Sequence, residues 1–94
     1  MKADQLLRAS QDAIGQEVRG ETVILDLASE EYFSLNEVGT RVWQLIQEPM
    51  SLNSLRSQLL EEFDVDESTL ESDLAELIDV LTREGLVSIE PAGD

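Results

Sequence analysis

The feature that most constrains this fold is a change of hydrophobic period after residue 35. Upstream, Glu21-Thr-Val-Ile-Leu-Asp-Leu-Ala28 and Tyr32-Phe-Ser-Leu35 are short apolar runs rich in β-branched and aromatic residues, and they read as strands. The polar link Ser29-Glu-Glu31 is so short that residues 32–35 should return antiparallel to residues 23–27. Before them, Ala13 to Val18 puts Ile14, Gln16 and Val18 on one side of an extended chain, and Gly20 marks a turn. Downstream the spacing becomes helical. Asn36 can cap a helix carrying Val38, Val42, Trp43, Leu45 and Ile46, which Glu48-Pro49 closes. Ser51 caps a second, with Leu52, Leu55, Leu59, Leu60 and Phe63. After Asp64-Val65, Asp66 caps a third, over about residues 67–84, striped by Leu70, Leu74, Leu77, Ile78 and Leu81. Gly85 stands where a left-handed residue ends a helix. Leu86-Val-Ser-Ile89 can form a last strand, and Pro91-Ala-Gly-Asp94 a loose tail. Residues 1–12, with Leu6 and Leu7, suit either a frayed arm or a first strand. Strands followed by helices indicate an α+β fold: a small N-terminal antiparallel sheet, three helices and a short C-terminal strand, winged helix-turn-helix-like, in one domain over residues 1–94.

Composition narrows the function. The chain has no cysteine and no histidine, which removes disulfides, thiolate chemistry, the usual general base and the commonest metal ligand. No catalytic set, metal site or cofactor is expected. A net charge of −15, from 21 acids against 6 bases, opposes binding to nucleic acid or to an anionic membrane. It favours a cationic or neutral partner, or serves solubility alone. No apolar run reaches transmembrane length and no signal peptide is visible, so a cytoplasmic location is expected. Asp64-Val-Asp66-Glu-Ser68 opens like a calcium loop, but the sixth and twelfth places hold Thr69 and Ala75 instead of glycine and glutamate. Ser68 and Ser72 lie outside the Asp-Ser-Leu order of an acyl carrier. The carboxylate pairs Glu30–Glu31, Glu61–Glu62 and Asp73–Glu76 fall on loops and polar helix faces, without the cleft that hydrolytic pairs need.

Three stretches carry a resemblance: Glu21-Thr-Val-Ile-Leu-Asp-Leu27, then Tyr32-Phe-Ser-Leu-Asn-Glu-Val-Gly39, then Val42-Trp43. With the later Leu55, Leu59, Phe63, Asp73-Leu74, Leu77, Leu81 and Gly85-Leu-Val87, they resemble the PqqD-like family over about residues 13–90. Tyr-Phe-x-Leu-Asn followed by Gly and Val-Trp is the most specific part. The resemblance implies a RiPP recognition element, which binds the leader segment of a ribosomally made precursor peptide and presents it to a processing or modifying enzyme. Free-standing members occur in pyrroloquinoline quinone and lasso-peptide synthesis. The Leu-Asp-Leu-x-x-x-x-Tyr-Phe-x-Leu-Asn pattern is nearer the lasso type, whose partner is a leader peptidase. In such a domain the leader adds as a strand beside the third strand, against the third helix.

On that reading the peptide-binding residues are Tyr32, Phe33, Ser34 and Leu35 on the strand, with Asp73, Glu76, Leu77 and Val80 on the helix. Tyr32 and Ser34 face one way and Phe33 and Leu35 the other, so one set enters the core and the second helps line a groove. Helical spacing alone does not decide whether the Asp73, Leu77 and Val80 stripe is groove, core or plain surface. Trp43 is assigned to the core. Sheet edges also permit a homodimer. Two other functions compete: a winged-helix transcriptional regulator, and a structural subunit of a larger synthetase. Residues 67–84 hold one arginine, Arg83, among six acids, which argues against a DNA-reading helix.

Overall fold

The computed structural model describes residues 5–90. In chain order the elements are β1 (Leu6–Ala9), β2 (Ala13–Val18), β3 (Glu21–Asp26), β4 (Glu31–Leu35), α1 (Glu37–Leu45), β5 (Met50–Ser51), α2 (Leu52–Glu62), α3 (Glu67–Arg83) and β6 (Val87–Glu90). They build two three-stranded antiparallel sheets, ordered β5-β1-β6 and β2-β3-β4. The architecture is therefore α+β, as the change of period requires. The expected tail, Pro91 to Asp94, lies outside the described residues.

All three caps form as the side chains dictate. Asn36 Oδ1 accepts from the Gly39 N–H at 2.9 Å, Ser51 Oγ from Ser54 at 3.1 Å, and Asp66 from Thr69 at 3.3 Å. Each satisfies one of the amides that a helix start leaves open. Gly85 follows α3 with φ 77°.

One core unites the layers. Leu7 and Ile24 from the sheets meet Val42, Trp43 and Ile46 of α1, Leu55 and Leu59 of α2, and Leu70, Leu74, Ile78 and Leu81 of α3. Trp43 is buried, in keeping with its aromatic bulk on an amphipathic helix. Gly15 of β2 makes its placement possible: a Cβ there would stand 2.5 Å from the Trp43 Nε1, so only a hydrogen fits under the indole.

One feature of the sheets settles what the sequence leaves open, and a second differs from the expectation. The N-terminal segment, which suited arm and strand equally, is a strand: β1 pairs with β6 over four residues and with β5 over two. The sheet at the start of the chain thus closes only with residues from its middle and end. The hairpin is also shifted by one position. Residues 31–35 pair with residues 22–26, and Leu27 lies in the turn, half exposed at 50%. Asp26 is the cause: its carboxylate accepts from the Ala28 N–H at 3.0 Å and the Ser29 hydroxyl at 2.9 Å, and its carbonyl from the Glu30 N–H at 2.7 Å. That folds the loop onto the end of β3.

Candidate functional site

Among the described residues β4 is an outer strand of its sheet, and its unpaired side faces α3 across an open cleft of about 500 Å³. The buried Leu35, Leu70, Leu74 and Leu81 form its base. Half-buried Phe33, Val38 and Leu77 line it above them, and Ser34, Thr69, Asp73, Glu76 and Val80 stand exposed around it. Seven of the eight residues expected at the site therefore border this one cleft. Tyr32 does not; it is 70% exposed and takes no part in the lining.

The backbone of β4 resolves which groups are free. Arg19 and Gly20 have φ of 55° and 83°, the two positive values of a type I′ turn, which glycine favours. The pair flanking such a turn, Val18 with Glu21, is hydrogen-bonded, and bonded and non-bonded pairs alternate along an antiparallel ladder. Glu21, Val23 and Leu25 therefore bond toward β2, and Thr22, Ile24 and Asp26 toward β4. The Leu27 N–H on the Asp12 carbonyl at 2.9 Å continues that alternation. Across the next ladder Thr22, Ile24 and Asp26 oppose Leu35, Phe33 and Glu31. The N–H and C=O groups of Tyr32 and Ser34 are left pointing outward along the free edge.

Side chains follow the same parity. Phe33 and Leu35 turn toward the core and the cleft, so the choice left open by the alternation falls to them. Tyr32 turns to the opposite face of the sheet, where the register sets Ile14, Leu25 and Tyr32 in one cross-strand row, with Gln16, Val23 and Ser34 in the next. Ile14 is 54% exposed, and that face is open to solvent. On α3, Leu77 is half buried and Asp73 and Val80 are exposed, so the stripe is the wall of the cleft and not its core. Val65 and Thr69 are lining residues that the sequence pattern does not single out, and Val38 reads there only as part of the apolar stripe of α1. Thr69 extends the Asp73–Leu77 stripe by one turn, a signal that could have found it; Val65 lies in the link before the cap and gives no periodic signal.

Among the described residues no cluster of His, Cys, Asp and Glu could hold a metal ion, and no helix is long and apolar enough to cross a membrane.

A family profile described as coenzyme PQQ synthesis protein D (PqqD) matches residues 21–87, well over half of the chain. This chain belongs to the PqqD family. The matched span runs from β3 into β6 and so contains β4, α3 and the whole cleft. Among solved structures, this PqqD-family chain is similar to TbiB1 in complex with the TbiA(beta) leader peptide, with a TM-score of 0.77 and 29% identity over 93% of this chain and 99% of the other. No curated protein matches.

Proposed function

We propose that this PqqD-family chain is a RiPP recognition element. It binds the leader segment of a ribosomally synthesised precursor peptide as an added strand on β4, and presents it to a processing enzyme, a leader peptidase in lasso-peptide biosynthesis. It acts by binding, without catalysis. The observation that carries this reading is an unpaired strand edge lying directly over an apolar cleft. The edge offers main-chain hydrogen bonds to an extended chain of any sequence, and the cleft discriminates alternate side chains. Tyr32 and Ser34 take part through their backbones, Phe33, Leu35, Leu77 and Val80 through apolar contact, and Asp73 and Glu76 at the rim. The similar structure in complex with a leader peptide supports the peptide as occupant. The opposite face of the same sheet leaves the row Ile14, Leu25 and Tyr32 open, an apolar surface suited to the enzyme that receives the peptide.

Titration of labelled precursor leader against the protein tests the reading. Leu77→Glu places a charge in the cleft and should weaken binding by at least about tenfold, or about 1.4 kcal/mol. Ser34→Pro removes an outward N–H at an edge position that tolerates proline, so binding should fall while the fold is kept. Tight binding to both variants would overturn strand addition at this edge.

A further inference from the structure

We propose that the strand accepted by the cleft carries a cationic side chain two positions from an apolar anchor, both facing α3, and that Asp73 and Glu76 select the cation. This rests on the strand-addition reading above.

Four of the five described arginines are already engaged, and the fifth, Arg19 in the β2–β3 turn, does not line the cleft. Arg56 pairs with Glu71, Arg83 with Asp79 at 3.0 Å, Arg41 with Glu62 and Arg8 with Glu90. Two of these pairs neutralise acids of α3, Glu71 and Asp79, that do not line the cleft. Asp73 and Glu76, which do border the cleft, have no ion-pair partner among the described residues. A strand laid over them removes water from carboxylates that this chain does not neutralise. An occupant offering only apolar groups would leave that desolvation uncompensated; a Lys or Arg side chain would compensate it with charge-assisted hydrogen bonds.

Geometry sets the spacing. Asp73 and Leu77 lie one turn apart on α3, a rise of about 6 Å. Alternate residues of a strand are about 6.6–6.8 Å apart. The two repeats nearly match, so when one cleft-facing side chain meets Leu77 and Val80, the next of that parity meets Asp73. The intervening residue faces the open side, beside Tyr32 or Ser34.

The test uses the full chain and fluorescein-labelled decapeptides of threonine with Leu and Arg at positions i and i+2, made in both orders. Counterparts replace Arg by Gln or Glu, and binding is read by fluorescence anisotropy. In the order that binds, Arg should be preferred over Glu by about tenfold at low salt, shrinking at about 0.5 M salt as screening shortens. The preference should collapse in the Asp73→Asn/Glu76→Gln double variant and persist in Glu48→Gln/Glu61→Gln, which removes the same charge away from the cleft. Equal binding of the Arg, Gln and Glu peptides overturns the proposal alone, as does a preference that survives Asp73→Asn/Glu76→Gln. Failure of every peptide in both orders overturns the strand-addition reading, and this proposal with it.

Discussion

Arg41 and Glu62 fasten α1 to α2 through two parallel contacts, Nε to Oε1 at 2.6 Å and Nη2 to Oε2 at 2.8 Å. The neighbouring Gln58 amide donates to the same carboxylate at 2.7 Å, and Gln44 of α1 reaches Glu17 of β2 at 2.7 Å. The Arg41 hydrogen bond first, and then Gln58, hold the Glu62 carboxyl at about 2 against its ordinary 4.5. Because the folded value is the lower one, the stabilisation is present above pH 4.5 and is lost as the pH falls toward 2. The site is solvent-exposed, so its contribution is that of a surface pair. Thermal melts of wild type and Glu62→Gln should differ above pH 4.5 and converge through the window below it, the last of the gap closing below about pH 2. A gap that stays constant across that window would mean Glu62 acts by packing and not by charge. At the same scale lies the parity of β4, where one turn residue with positive φ, Arg19, helps decide which backbone groups face the cleft.

Between strand and helix, Asn36 has a double position. It follows Leu35 directly, caps α1 through Gly39, and borders the cleft. Asn36→Ala should cost about 1 kcal/mol, a fall in Tm of about 4–8 °C for a domain of this size, while Asn36→Asp should keep most of it. A Tm unchanged in the alanine variant would show that the core alone sets the start of α1. Caps of this kind are legible in the sequence because they act within four residues: Asn36, Ser51 and Asp66 each stand directly before an apolar stripe of helical period. The stripes are legible too, but not that Leu77 and Val80 wall a cleft: spacing leaves that stripe open between groove, core and surface, and only the family resemblance points to a groove. The sheet β5-β1-β6 is legible only in part. Residues 86–89 read as a last strand, and β6 forms there, but strands of four and two residues are too short for a period to decide β1 or to reveal β5, and their partners lie far apart in the chain. Nor can alternation within residues 32–35 tell which pair of side chains turns inward. That depends on the register against β3, which sets Phe33 and Leu35 opposite the buried Ile24 and Thr22, a property of the ladder and not of the strand.

At the scale of the molecule, the two sheets divide the work. The sheet β5-β1-β6 ties the beginning of the described chain to its end, and the Ala9 N–H also donates to the Ile46 carbonyl at 2.8 Å at the close of α1. The sheet β2-β3-β4 carries the free edge. Leu7 of β1, fully buried, belongs to the same core as Leu74 and Leu81 at the base of the cleft. Leu7→Ala should therefore cost about 2–5 kcal/mol, a large part of the roughly 5–15 kcal/mol that holds a small domain. The loss should be global: β1 and the cleft would melt together in one transition, even though Leu7 does not line the cleft. Peptide binding, measured well below the lowered Tm, should stay near wild type, because the folded molecules keep the edge and α3 intact. Leu77→Glu should do the reverse, with binding lost and Tm nearly kept, since its side chain is only half buried. Melting curves and titrations of the two variants side by side check this. Were Leu7→Ala to abolish binding while still folded, the two sheets would be coupled through the core, and the position of α3 against β4 would depend on the strand β1 that pairs with β6.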